Sequence, residues 1–346
     1  MNVDIDSQTI TKSTNRYNNN YFQYLNQLLR NEFFLSDYIY KFANFDLDMI
    51  QSGFMTEGYF DTFNMDANLL AGESGQVKMN RKEGAFEDED NSTLRYEFAF
   101  SPNTGFLASP DHLLKDTELK ISFDRTPPMT SLLEISSIKN ECKYLEIKDC
   151  YAVTEYVSSP SIREHYGTIE NVPFVYEYDE VEVLIKNLPL NETDIRFDNI
   201  RGGQLPSFLF VGLISQDALK GNFDLCSTQF NTHNLTDLNV TLNGNSVHGY
   251  PVSIKNNSVI YPLHKFLDAT GQFYDFKCGS SLRITDFKYN CIHVHKFEAE
   301  SSESGGIGVN FKLSSPPSSP LSLVMWFVQP SALTVDKFHS VERLNY

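Results

Sequence analysis

Asp194-Ile195-Arg196-Phe197, Gly203-Gln204-Leu205-Pro206, Phe208-Leu209-Phe210-Val211-Gly212-Leu213-Ile214, Ala218-Leu219-Lys220-Gly221 and Leu238-Asn239-Val240-Thr241-Leu242-Asn243-Gly244 follow one another along one stretch of the chain. Phe208–Ile214 is a short apolar run broken only by Gly212 and bounded by turn-forming residues, so it reads as a buried strand. Leu238, Val240 and Leu242 alternate with polar residues up to Asn243-Gly244, a pair suited to the left-handed backbone of a tight hairpin. The stretch opens a β-rich block, and another such block precedes it.

Upstream, Leu119, Ile121 and Phe123 alternate with Lys120 and Ser122, while Val181, Val183 and Ile185 share one face opposite Glu182 and Leu184. Period two with one apolar face predicts half-buried antiparallel strands. Leu132–Ile138 and Tyr144–Val157 add strand-like runs. Downstream, Arg283–Phe287, Ile292–Phe297, Ile307–Leu313 and Leu321–Val328 read as strands, with Pro316-Pro317 and Pro320 turning the chain before the last. Short strands at intervals, with turn residues between them, predict an all-β chain of antiparallel jelly-roll β-sandwiches. The length of 346 residues accommodates two in tandem, each of ordinary domain size, after an N-terminal segment. The expected division is 1-50 N-terminal arm and amphipathic helix, 51-192 first jelly roll and 193-346 second jelly roll, with the junction near Asn187–Asn199.

Residues 1–20 are polar, include Asn18-Asn19-Asn20, and read as a mobile arm. Phe22, Leu25, Leu28, Leu29, Phe33 and Tyr40 fall at helical spacing, which predicts an amphipathic helix within Tyr21–Phe42 that packs on its own chain or on a neighbour. Gly72–Thr93 carries Gly72, Gly75, Gly84 and the acidic run Glu87-Asp88-Glu89-Asp90, and reads as a long exposed loop.

Composition narrows the functional classes. Hydrophobic residues at 41% and aromatics at 13% supply a real core and argue against global disorder. With 28 basic and 45 acidic residues the net charge is −17, which argues against direct nucleic-acid binding, and no run of Lys or Arg supplies a local basic patch. Such acidity keeps a crowded protein soluble. Met1-Asn2-Val3-Asp4-Ile5-Asp6 has no secretory character, and the apolar run Leu321–Val328 is far short of a membrane span. Cys142, Cys150, Cys226, Cys278 and Cys291 are odd in number and scattered, so reduced, intracellular folding is expected rather than a disulfide framework. On that reading the sequons at Asn91, Asn191, Asn234, Asn239 and Asn256 stay unmodified.

Chemistry is scarce. There is no phosphate-binding Gly-x-x-x-x-Gly-Lys loop and no Gly-x-Ser-x-Gly elbow. Ser304-Gly305-Gly306-Ile307-Gly308 lies between two predicted strands with no helix to aim amides at an anion, and reads as a flexible hairpin loop. Cys291-x-His293-x-His295 invites a metal, because alternate residues of a strand share a face, with Cys278 as a further ligand. Ile292 and Val294 form the opposite apolar face, however, so the two histidines read more simply as the polar side of a strand. Glu87-Asp88-Glu89-Asp90-Asn91 lacks the glycine and the closing glutamate of a helix-loop-helix calcium site. Trp326, the single tryptophan, reads as core. No catalytic, cofactor-binding or metal-ligating residues are assigned, no cofactor is expected, and the chain is not read as an enzyme.

From about Leu113 onward the order of features is specific. Leu113-Leu114 precedes Glu118–Phe123 and Arg125-Thr126; Tyr144–Ala152, Ser159-Pro160-Ser161, His165 and Val181–Ile185 follow. Then come Gly203-Gln204-x-Pro206, Val211-Gly212, Ala218-Leu219-x-Gly221, Phe230, Leu238–Gly244 and Asp336-Lys337-Phe338. In this order the chain resembles the capsid proteins of Polinton/Maverick-type elements and adintovirus-like viruses. It departs from them at Cys226-Ser227-Thr228-Gln229-Phe230, where that family tends to carry an Asn-Pro-Phe-like turn. The resemblance implies a double jelly-roll major capsid protein whose homotrimers form pseudo-hexagonal capsomers of an icosahedral virion. It implies partners in neighbouring capsomers, penton proteins and minor or cement proteins, with synthesis in the host cytoplasm and assembly there or in the nucleus. The alternatives are a minor, penton-type vertex protein and a non-viral jelly-roll binding module.

Overall fold

The structure is a computed structural model that describes residues 173–222, 225, 227–247, 251–254, 258–272, 284–287, 291–297, 304–336, 338 and 340–344, and upstream 2–5, 8–11, 60–61, 85–87, 94–96, 105–108, 113, 117–123, 132–133, 147 and 150–151. In chain order the strands used below are β1 (Asn2–Ile5), β2 (Gln8–Thr11), β3 (Leu119–Ser122), β4 (Phe174–Asn187), β5 (Asp194–Arg201), β6 (Phe208–Ser215) and β7 (Leu235–Leu242). They continue with β8 (Asn245–Ser246), β9 (Val252–Ser253), β10 (Ile292–Lys296), β11 (Ile307–Leu313), β12 (Leu321–Val335) and β13 (Val341–Leu344). Among the described residues three α-helices, α1 (Gln216–Lys220), α2 (Ile260–Ala269) and α3 (Ile284–Phe287), and a 3-10 turn at Gly105–Ala108 lie between them.

Pairing is nested. β4 pairs with β12, β5 with β11, β6 with β10, and β7 with β8 and β9, all antiparallel. Three further antiparallel pairings, β6 with β12, β12 with β13 and β7 with β11, join these into two five-stranded sheets. First strand with last, second with next to last, is jelly-roll topology, and it follows from the pairings themselves. The sandwich takes its first strand from Phe174–Asn187, and the turn at 188–193 carries the chain into the second sheet.

The two sheets differ in how they are covered. β6 and the first half of β12 are apolar on both faces, and both faces are buried. Leu209, Val211 and Leu213 of β6, with Leu323, Met325 and Phe327 of β12, meet Leu238, Val240, Val309 and Phe311 of the opposing sheet. Phe210 and Ile214, with Val324 and Trp326, turn the other way and pack on Val259, Leu263 and Phe266 of the α2 region and on Phe287 of α3. The second sheet alternates: Val309, Phe311 and Leu313 are buried while Lys312 is exposed, which leaves one face polar.

A third apolar cluster lies along the far halves of β4 and β12. There Tyr176, Tyr178, Leu333 and Val335 pack with Val341, Phe106 and the N-terminal Val3 and Ile5. β1 is the central strand of a three-stranded sheet between β2 and β3, and Val3 and Ile5 are fully buried. Residues 2–5 and 8–11 are therefore paired strands rather than a mobile arm, because alternation of Val3 and Ile5 gives even this polar segment one apolar face.

Other expectations change. Ile284–Phe287 is a helical turn, not part of a strand. Ala85–Glu87 pairs with Leu94–Tyr96, so the acidic run begins in a strand, not wholly in a loop. Within Tyr144–Val157, Ile147, Cys150 and Tyr151 are exposed and without regular structure; its other residues lie outside those described. Of Leu132–Ile138 only Leu132–Leu133 is described, and it pairs in parallel with Phe60–Asp61. The helix expected within Tyr21–Phe42 and most of 51–173 also lie outside the described residues.

Candidate functional site

Strand β10 brings the single constellation of interest together. Its register sets His293 opposite Val211 and His295 opposite Leu209, residues that face the interior of the sandwich. Ile292 and Val294 face the helix side. Both histidines are buried, so they are not the solvated polar side of a strand: the interior face of β10 is closed over by the opposing sheet. Cys291 Sγ lies 3.6 Å from His293 Nε2.

The surroundings of this pair are apolar. Val211, Leu213, Leu235, Leu238, Phe311 and Leu323 line a cavity of about 10 Å³ beside it, with Asn231 as a further polar neighbour. That volume holds about one water molecule and no organic ligand. Burial pushes the Cys291 thiol up to about 12 and the His293 imidazole down to about 4. A thiol so far from ionisation is a poor metal ligand and a poor nucleophile. Among the described residues no three His, Cys, Asp or Glu are placed to hold a metal ion; Cys278 is not among them.

Ser304–Gly308 is held rather than free. Ser304 bridges to Gln204, Gly305 N–H donates to the Gly203 carbonyl at 2.9 Å, and Gly306 N–H donates to Asn243 Oδ1 at 2.8 Å. Asn243 and Gly244 have φ of 52° and 84°, the left-handed pair their sequence predicts. Trp326 is fully buried, its ring edge-on to Phe230 with centroids 5.3 Å apart. Asp88, Glu89, Asp90 and Asn91 lie outside the described residues.

Sequence reasoning gave no weight to Arg201, which organises a polar layer between two of the apolar clusters. Its guanidinium donates to Glu182 Oε2 at 3.0 Å, to the Gln204 carbonyl at 2.6 Å and to Gln329 Oε1 at 2.5 Å, and lies over the Phe327 ring. Gln329 Nε2 and Arg343 both donate to Glu180. On the interior face of β4 and β12 the sequence of contacts is thus apolar, polar, apolar: Phe327, then Gln329 opposite Glu180, then Leu333 opposite Tyr176. Glu180 and Glu182, one strand repeat apart on a face otherwise formed by Tyr176, Tyr178 and Leu184, were the available signal.

No protein-family model and no curated protein matches the chain. Among solved structures it is similar to the PBCV-1 virus capsid, with a TM-score of 0.33 and 7% identity over 53% of this chain and 54% of that one. It is also similar to a chain of the Sputnik virophage, with a TM-score of 0.32 and 10% identity over 50% of this chain and 39% of that one. A third likeness, to the mavirus major capsid protein, has a TM-score of 0.28 and 9% identity over 55% of this chain and 44% of that one. The chain thus spans about half or less of the length of these chains.

Proposed function

We propose that this chain is a structural capsid protein, a double jelly-roll major capsid protein of the Polinton/Maverick and adintovirus-like kind. The observation that carries the reading is the nested strand pairing of β4 to β12, taken with the ordered sequence resemblance from Leu113 onward. On this reading the first jelly roll lies within 51-192, with Phe174–Asn187 contributing to the second. Three copies stand side by side as a pseudo-hexagonal capsomer, and capsomers tile an icosahedral shell of the virion. The work is done by surfaces rather than by a reactive group: broad protomer contacts within the trimer and more polar contacts between trimers. Penton and cement proteins complete the shell, and the net charge of −17 leaves the genome to other partners.

Light scattering on the purified chain tests this. A species of about three times 39.5 kDa, with hexagonal outlines in negative stain, is the expected result. A stable monomer at high concentration would overturn the capsomer, and a pentamer would assign the chain to the vertex instead.

A further inference from the structure

We propose that the buried imidazole of His293 is an acid-operated latch: on taking up a proton it releases the edge strand β10 from β6 while the rest of the sandwich stays folded. The proposal concerns this sandwich alone and does not depend on the capsid reading.

Position comes first. Among the described residues β10 pairs only with β6, so it is the outermost strand of its sheet and can leave without breaking any other strand pairing among them. His293 points from this strand into the sandwich. Among the described residues, the groups around it are apolar or neutral and carry no countercharge for a cation. β6 presents Val211 and Leu213, β7 presents Leu235 and Leu238, β11 presents Phe311, and β12 presents Leu323. The segment before β7 contributes the neutral Asn231. Among the described residues the titratable neighbours are Cys291, at 3.6 Å, and His295, two residues along the same strand. Among the described residues no carboxylate lines the cavity, and about one water fits in it, too few to hydrate a charge. A protonated His293 is therefore stable only outside the sandwich.

The direction of the pH response follows. Burial holds the closed-state imidazole near pH 4, while an exposed one titrates near 6.5. Between those values the open form binds more protons than the closed form, so opening grows as pH falls through the window and is minimal above it. The full span of about 2.5 units corresponds to a ~300-fold rise in the opening equilibrium. A reporter is built in: Cys291 N–H donates to the Phe230 carbonyl at 2.8 Å, and the Phe230 ring abuts Trp326.

Hydrogen exchange of the full chain read by mass spectrometry, with rates corrected for intrinsic pH dependence, tests the latch. Protection of Cys291–Phe297 should fall by ~100-fold between pH 7 and pH 4, where half of the closed form is itself protonated, with a change in Trp326 fluorescence, while Ile307–Leu313 keeps its protection. His293→Gln should flatten this response. His233, on the turn before β7, is also held near 4 by burial, and His233→Gln should leave the β10 response in place. Equal loss across both sheets, no loss at all, or a response abolished by His233→Gln and kept by His293→Gln would each overturn the proposal. Should His293→Gln not fold, the contrast between the two sheets in the unmodified chain decides alone.

Discussion

Gly212 has no side chain because Phe230 occupies the space one would need. A Cβ built at Gly212 would stand 2.6 Å from Phe230 Cδ1, inside any real carbon–carbon contact. Phe230 cannot swing far, since its other neighbours include the Trp326 ring and its carbonyl holds Cys291. Gly212→Ala should therefore destabilise the fold by about 1–3 kcal/mol, the usual range for overpacking. Pairing it with Phe230→Leu should recover part of that loss, read as a coupling in urea denaturation. Strictly additive effects would mean that the two positions do not meet. The mechanism is steric, so the defect should be the same at low and high salt.

At the scale of elements, helix α2 closes the outer face of the sheet formed by β10, β6, β12 and β4. Phe266 is fully buried, 6.2 Å from the Phe210 ring and 5.8 Å from that of Phe287. Phe266→Ala should cost about 3–5 kcal/mol and lower the urea midpoint, while truncating the exposed Ile260 of the same helix should change stability by less than about 0.5 kcal/mol. This helix was readable in the sequence: Val259, Leu263 and Phe266 lie four and three residues apart. Pro262 hides it, yet proline in the first turn removes no helical hydrogen bond. The strand runs Phe208–Ser215 and Leu321–Val328 were legible because they are apolar on both faces. The far halves of β4 and β12 were not, since Glu177, Asp179 and Pro330 look like the end of a strand. Pro330 is tolerated because it falls in a gap, between Val328, the last residue paired with β6, and Ala332, the first paired with β13. The buried Cys291–His293 layer was legible as a spacing but not as an interior, because burial on that face is set by strands distant in sequence.

At the scale of the whole molecule, the N-terminal strand is part of a core. Val3 and Ile5 are fully buried against Tyr176, Leu333 and Val335. Removing residues 1–11 should therefore lower thermal stability, by about 1.5–3 kcal/mol for each of the two buried side chains, and not merely loosen contacts between copies. An unchanged melting temperature would return this segment to the mobile arm expected from its polar sequence. The oligomer and the shell belong to the same scale, and sizing the intact chain remains their decisive measurement.

The pairing of β4 with β12 runs without interruption through fourteen residues on each strand, from Asn187 opposite Ser322 to Phe174 opposite Val335. At about 3.4 Å per residue that is a ribbon of roughly 45 Å. It carries residues of all three apolar clusters, with the Arg201 layer between two of them, on a single piece of sheet. Pulled apart along its length, such a ribbon is loaded in shear, with every cross-strand bond bearing at once rather than failing one after another. The joint then behaves as a girder rather than a hinge, and its resistance to force should exceed what its equilibrium stability alone would suggest.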